Sequence, residues 1–288
     1  MNQHESPRLR EPGAAGLVNH ELALRIVSGA AMIVVALALT WSGLWPFWVL
    51  ALAVAITGMW EWNRIVGGAN FGPVFAGEVA VILIALTLAA AEMSLIALAS
   101  LALGVIAIWL LIRTAPNSAW SAAGLAYLGI PAVCLIYLRS DPDYGWLAIL
   151  YLFLVVWSAD IGAYVAGRLI GGPKLAPRIS PNKTWAGAIG GLLVSAIVAF
   201  GLGYAIGGTS PFWLAIVGAC LAVISQIGDL AESAVKRFFH VKDASQLIPG
   251  HGGILDRIDA LLFAGVAAGL LAAVRDGANP GLALLIWP

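Results

Sequence analysis

Long charge-free runs, broken by short polar or turn-forming stretches, occupy most of the chain. Residues 26–60 carry no charged side chain and break only at Ser42-Gly43-Leu44-Trp45-Pro46. Crossing ~30 Å of hydrocarbon takes about 20 helical residues, so this run predicts two membrane helices joined by a hairpin. Residues 67–112 hold only Glu78 and Glu92, and Glu92 marks a second hairpin. Residues 114–138 predict a fifth span, with Trp120 and Tyr137 as interfacial anchors near its ends. A sixth runs over 144–167. Residues 184–228 are charge-free and split at Gly207-Gly208-Thr209-Ser210-Pro211, and a ninth span covers 258–274. The expected fold is an all-α polytopic integral membrane protein of nine transmembrane helices, give or take one. Its expected organisation is a polar tail over 1–21, a membrane scaffold of five spans over 22–143, and a catalytic membrane domain of four spans over 144–288. Two loops, 168–186 and 235–257, belong to that last part.

Composition agrees with the pattern. Apolar residues make up 61% of the 288, charged ones only 10%, and mean hydropathy is +0.94. A soluble domain carries about a quarter charged residues, so thirty charged side chains leave a surface that must face lipid. The net charge of zero gives no basic stripe for nucleic acid, which is excluded as a partner. Cys134 and Cys220 lie inside apolar runs and suggest neither a disulfide framework nor a zinc site.

The cations test the span map. With the N-terminus in the cytoplasm, thirteen of the fifteen lysines and arginines fall on the cytoplasmic side, and only Arg139 and Arg275 fall opposite. That asymmetry is the one expected of a correct odd-numbered topology. In a bacterial cell it places the protein in the inner membrane, with its basic loops facing the nucleotide pool.

Chemistry is concentrated in the last third, where residues 160–259 hold fourteen of the thirty charges. Asp160 lies eight residues before Arg168, about 12 Å below the end of its span. An ionised carboxylate there is unfavourable unless it has a cation or meets water. Asp229, Glu232 and Lys236 share one helical face. Asp256 and Asp259 open the ninth span, where the helix dipole also favours acids. Glu61, between Trp60 and Trp62, reads as an interfacial contact. The Gly187/Gly191 and Gly265/Gly269 pairs have the spacing of close helix packing and are compatible with a homodimer.

Carboxylates and cations at one membrane face suggest a metal bridging to phosphates. Mg²⁺ takes one or two carboxylates and completes its shell with water and phosphate oxygens. Asp229 and Asp256, 27 residues apart, are candidates to clamp one ion or share two. Lys236, Arg237, Lys242 and Arg257 would meet phosphates, and His251-Gly252-Gly253 could bring backbone N–H groups to an anion. Ser180, Asn182, Lys183 and Thr184 offer hydroxyl, amide and ammonium donors at the start of the seventh span. No GxxxxGK[ST] sequence is present, so the site must be built from helix ends.

The stretch Ser233 to Asp259, with Lys236-Arg237, Lys242-Asp243, Pro249-Gly250-His251-Gly252-Gly253 and Asp256-Arg257-Ile258-Asp259, resembles the signature of the phosphatidate cytidylyltransferase family, also called CDP-diacylglycerol synthases. Asp160-Ile161-Gly162-Ala163-Tyr164, Ser180-Pro181-Asn182-Lys183-Thr184-Trp185 and Gln226-Ile227-Gly228-Asp229 are similar to its other segments, so the likeness covers 157–263. The family pattern continues Lys-Thr-Trp-Glu-Gly, whereas here Ala186 stands in place of the glutamate. The resemblance implies transfer of a cytidylyl group from CTP to phosphatidate, releasing pyrophosphate, at the cytoplasmic membrane face. It implies Mg²⁺ on Asp229 and Asp256, with Asp160, Glu232 and Asp259 as further ligands or support. Beside it, Lys183, Lys236, Arg237, Lys242 and His251 are assigned to phosphates as hypotheses, and Asp243 to a supporting role. Two other readings fit the residues: an ion-coupled transporter using Asp160 and Asp229, or a CTP-dependent transferase acting on another lipid.

Overall fold

The computed structural model describes residues 14–67, 71–248 and 252–288, with side chains from residue 26 onward. Among the described residues nine long helices follow one another: α1 (Ala14–Trp41), α2 (Leu44–Val66), α3 (Pro73–Ala90), α4 (Ser94–Ile112), α5 (Ser118–Ser140), α6 (Gly145–Leu169), α7 (Trp185–Ile206), α8 (Pro211–Phe238) and α9 (Leu255–Arg275). Eight of them, α2 to α9, are long and apolar enough to cross a membrane, and α1 adds an apolar stretch over Ile26–Trp41. The chain is a polytopic all-α membrane protein. Helices satisfy their own backbone groups, which is why charge-free runs in lipid adopt them.

The expected breaks coincide with the observed turns. Gly43 separates α1 from α2 with a positive φ, and Gly207 and Gly208 do the same between α7 and α8. Three features were not expected. Helix α1 begins at Ala14, so the backbone of 14–21 is already helical, while residues 1–13 of the expected tail lie outside the described residues. A short helix, α10 (Pro280–Leu285), follows α9. Loop 168–186 contains a two-stranded antiparallel hairpin, β1 (Lys174–Ala176) and β2 (Ser180–Thr184), with Lys174 opposite Thr184.

Consecutive helices run antiparallel, and cross-contacts fix which ends share a side. At one end, the C-terminus of α2 meets the start of α5 through Trp62 Nε1–H to Trp120 O (2.7 Å) and Asn117 Nδ2–H to Val66 O (2.9 Å). Trp120 in turn packs on Phe238 and Phe239 at the end of α8. At the other end, Arg139 donates to Thr40 O (2.9 Å), and Arg275 lies 3.5 Å over the Trp287 ring while donating to Ala283 and Ile286 carbonyls. The two arginines that the topology set apart therefore sit together, away from the remaining described cations.

Helix α5 is the most enclosed span, packed by α2, α3, α4 and α9. Helices α6 and α7 approach through small residues: a Cβ on Gly190 would lie 2.3 Å from Ala166 Cβ, and one on Gly191 2.6 Å from Ala159 O. Helix α8 has 28 residues, about 42 Å at 1.5 Å per residue, which exceeds the hydrocarbon thickness. Its final turns, carrying Asp229 to Arg237, thus continue as helix into the polar boundary.

Candidate active site

The hairpin positions the first half of the site. β2 runs straight into α7, and Thr184 makes the junction: its backbone is extended and its buried Oγ1 accepts the Gly187 N–H (3.1 Å), capping the helix. A cap of this kind satisfies one of the first four N–H groups of a helix, which have no partner within it. Thr184 fixes the residue before it, and Lys183 reaches across to form an ion pair with Asp229 of α8. Ser233, one turn further along α8, donates to Asp229 Oδ1 at a long 3.4 Å. Thr184, Lys183 and Asp229 face a cavity of about 440 Å³. Asp160 and Arg168 of α6, Asn182, Lys183 and Thr184 of the hairpin, and Gln226 and Asp229 of α8 form its walls. Asp160 is within electrostatic reach of Asp229, Lys183 and Arg257, which draws the start of α9 to the same place.

A second cluster lies next along α8. Lys236 Nζ is 2.6 Å from Glu232 Oε2 and 2.6 Å from Asp256 Oδ1, so one ammonium bridges two acids on two helices. Glu232 is 1% exposed, and its Oε1 has no hydrogen-bond partner among the described residues. Asp256 Oδ2 also accepts the N–H groups of Gly253 (2.9 Å) and Ala244 (3.1 Å). Asp259 is buried, with Oδ1 accepting the Ala260 N–H (2.8 Å), and it lies within electrostatic reach of Asp229 and Glu232. Helices α8 and α9 come close enough for this because a Cβ on Gly228 would stand 2.7 Å from Asp259 O.

This chain matches the cytidylyltransferase family over residues 23–274. It belongs to that family. Among curated relatives, the phosphatidate cytidylyltransferase of Brucella suis biovar 1 (strain 1330) is 40% identical over 257 residues, covering 88% of this chain and 94% of the relative. Those of Staphylococcus haemolyticus (strain JCSC1435) and Haemophilus influenzae (strain ATCC 51907 / DSM 11121 / KW20 / Rd) are 47% and 45% identical over 148 and 141 residues. These two alignments cover 51% and 47% of this chain, and 56% and 49% of the respective relatives.

In this cytidylyltransferase the remaining expected residues take varied places. Arg237 is exposed and donates to the carbonyls of Ile179 (3.4 Å) and Val241 (3.2 Å), tying α8 to the hairpin loop. Lys242 and Asp243 are exposed and make no hydrogen bond or ion pair to other described residues. Ser180 is half-buried at the start of β2, opposite Ala176. His251 lies outside the described residues. Gly252 and Gly253 differ from the expectation of an open anion cradle. The Gly252 N–H bonds Ile248 O (3.2 Å) and the Gly253 N–H bonds Asp256, so both are committed within the protein.

Among the described residues, no three acidic, histidine or cysteine side chains form a ready metal shell. The donor chemistry nevertheless fits a hard divalent cation. Asp229 repels Asp160 and Asp259, Asp259 also repels Glu232, and Glu232 Oε1 is a buried acceptor with no hydrogen-bond partner among the described residues. Lys183 pairs with Asp229, and Lys236 with Glu232 and Asp256.

Four contributors escaped the sequence-based list. Arg168 and Gln226 line the cavity, and their signal was position beside matched motif residues. Glu61 and Ser245 have a different role. Glu61 is fully buried and is no interfacial contact: its carboxylate accepts from Ser245 Oγ (2.5 Å), the Ile254 N–H (3.0 Å) and the Leu255 N–H (2.6 Å). Its flanking tryptophans suggested the membrane surface, and its partners lie more than 180 residues away, so only the folded chain exposes this contact.

Proposed function

We propose that this protein transfers the cytidylyl group of CTP to phosphatidate, forming CDP-diacylglycerol and pyrophosphate, at the cytoplasmic face of the inner membrane. The observation carrying this reading is the cavity that joins Lys183 and Asp229 to Asp160 and Arg168 at the polar ends of α6, α7 and α8. Large apolar side chains, Ile161, Val165 and Ile189, are exposed on the neighbouring helix surfaces. A phosphate headgroup can therefore enter among cations while its acyl chains stay in lipid, and the triphosphate arrives from water.

Both reactants are anions, and a phosphate monoester alone carries about −1.5 to −2 near neutrality. Their repulsion has to be offset before a lipid phosphate oxygen can attack the α-phosphorus. Lys183, Arg168 and Asn182 do this from inside the cavity, with Lys242, Arg257 and His251 as further phosphate contacts. Lys183 exchanges Asp229 for a phosphate oxygen as substrate enters. A Mg²⁺ ion held by Asp229 and Asp256, with Asp160, Glu232 or Asp259 in support, would supply charge stabilisation at the phosphate oxygens. Lys236 keeps Glu232 and Asp256 in register, and Arg237 holds the hairpin against α8. The acceptor oxygen is already ionised, so no general base is needed. The new P–O bond forms as the bond to pyrophosphate breaks.

The distribution of cations supports the cytoplasmic orientation, since the site shares its end of the bundle with all the described cations other than Arg139 and Arg275. Labelled CTP, Mg²⁺ and phosphatidate in liposomes test the reaction. Equal yields of CDP-diacylglycerol and pyrophosphate are expected. Activity only with a different lipid phosphate would overturn the substrate, and ion flux without any CTP-dependent product would overturn the reaction class.

A further inference from the structure

We infer that Glu61, on a helix of the N-terminal half, is a positioning residue that sets the start of α9 and with it Asp256; the inference rests on the function proposed above. Helix α9 has no cap of its own. The residue before it, Ile254, already has helical dihedrals, and no side chain in that position accepts a backbone N–H. A helix N-terminus buried without acceptors would leave its first amides unpaired. The acceptor comes instead from α2: the two Glu61 oxygens take the Ile254 and Leu255 N–H groups, and Oε1 also takes the Ser245 hydroxyl. A carboxylate at this end is favoured by the helix dipole as well.

Access depends on Gly253. A Cβ there would stand 2.8 and 2.9 Å from the two Glu61 oxygens, so only glycine lets the loop backbone approach. Asp256 grips the same loop through the amides of Ala244 and Gly253. Two carboxylates thus hold one segment, Glu61 from the scaffold and Asp256 from α9 itself. Asp256 is the second residue of α9, so any shift of the first turn moves its carboxylate directly. Gly253 of the motif serves this clamp, and through Glu61 the N-terminal half takes part in placing the site.

Glu61→Gln keeps the shape but replaces one of the two acceptor oxygens with an NH₂ donor, which then faces a backbone N–H, and leaves the other amide with a neutral acceptor. Charge-assisted hydrogen bonds are worth enough that exchange at Ile254 and Leu255, read by hydrogen–deuterium exchange on metal-free protein, should accelerate about tenfold. The same variant should need about tenfold more Mg²⁺ for half-maximal turnover, and Glu61→Asp should recover part of both effects. Ser245→Ala, which removes one donor, should give a smaller change of the same sign if Glu61→Gln does not fold. Unchanged amide exchange together with an unchanged Mg²⁺ requirement, in whichever of the two variants folds, overturns the inference. Wild-type turnover is read first: its absence overturns the functional reading, whereas an active Glu61→Gln protein with wild-type exchange and a wild-type Mg²⁺ requirement overturns only the positioning role.

Discussion

Lys236 holds two acids that cannot be left alone. Glu232 and Asp256 have 1% and 11% of their side chains exposed, and Lys236 itself 11%. Removing the cation that bridges them leaves uncompensated buried charge, which typically destabilises by about 3–5 kcal/mol. Lys236→Met should therefore lower the melting temperature of the purified protein sharply. Glu232→Gln should lower it much less, because the Lys236–Asp256 pair survives. If thermal unfolding in detergent shows the two variants equally stable, the bridge is not the stabilising contact described here. The sequence made Asp229, Glu232 and Lys236 visible as one face, since helical spacing alone decides that. It could not show that Lys236 would bridge to Asp256, nor that the Gly252 and Gly253 amides would turn inward, because both depend on the path of a loop.

At the scale of elements, the contact of α6 with α7 shapes one wall of the cavity. Gly190 faces Ala166 so closely that a methyl group on it would overlap the alanine Cβ. Overpacking of this kind costs about 1–3 kcal/mol. Gly190→Ala should be destabilised by that amount, and adding Ala166→Gly should restore most of the loss. A double-mutant cycle by thermal or denaturant unfolding reads the coupling, and strictly additive effects would contradict the packing described. The long elements were legible because an uninterrupted apolar run of about 20 residues has few alternatives to a membrane helix. The β1–β2 hairpin was not, since its eight strand residues include Pro181, Asn182 and two lysines and show no apolar alternation. Helix α10 is six residues long and gives too short a period to detect.

For the whole molecule, antiparallel helices bring the ends of α2, α6, α7, α8 and α9 to one side and Arg139 and Arg275 to the other. Single cysteines at Gln246 and Ala278, both exposed, probe this after replacement of Cys134 and Cys220. A membrane-impermeant maleimide should label Ala278→Cys in intact cells, and Gln246→Cys only after permeabilisation. The reverse pattern would invert the proposed orientation. The glycine pairs read from sequence as compatible with a dimer are used inside the chain: Gly187 and Gly191 meet α6, while Gly265 and Gly269 meet Leu135 and Cys134 of α5. The spacing was legible, but the partner was not, because small residues fit any close helix.

The arrangement gathers acids from separate helices, and the proposal that they hold a divalent cation against phosphate charge becomes measurable with Mn²⁺ in place of Mg²⁺. Paramagnetic resonance on the purified protein with CTP should report bound Mn²⁺, weakened about tenfold or more in Asp229→Asn and in Asp256→Asn as each removes a carboxylate proposed to hold the ion. Phosphatidate-dependent turnover should fall in parallel. Wild-type Mn²⁺ affinity and full turnover in either variant would contradict the account.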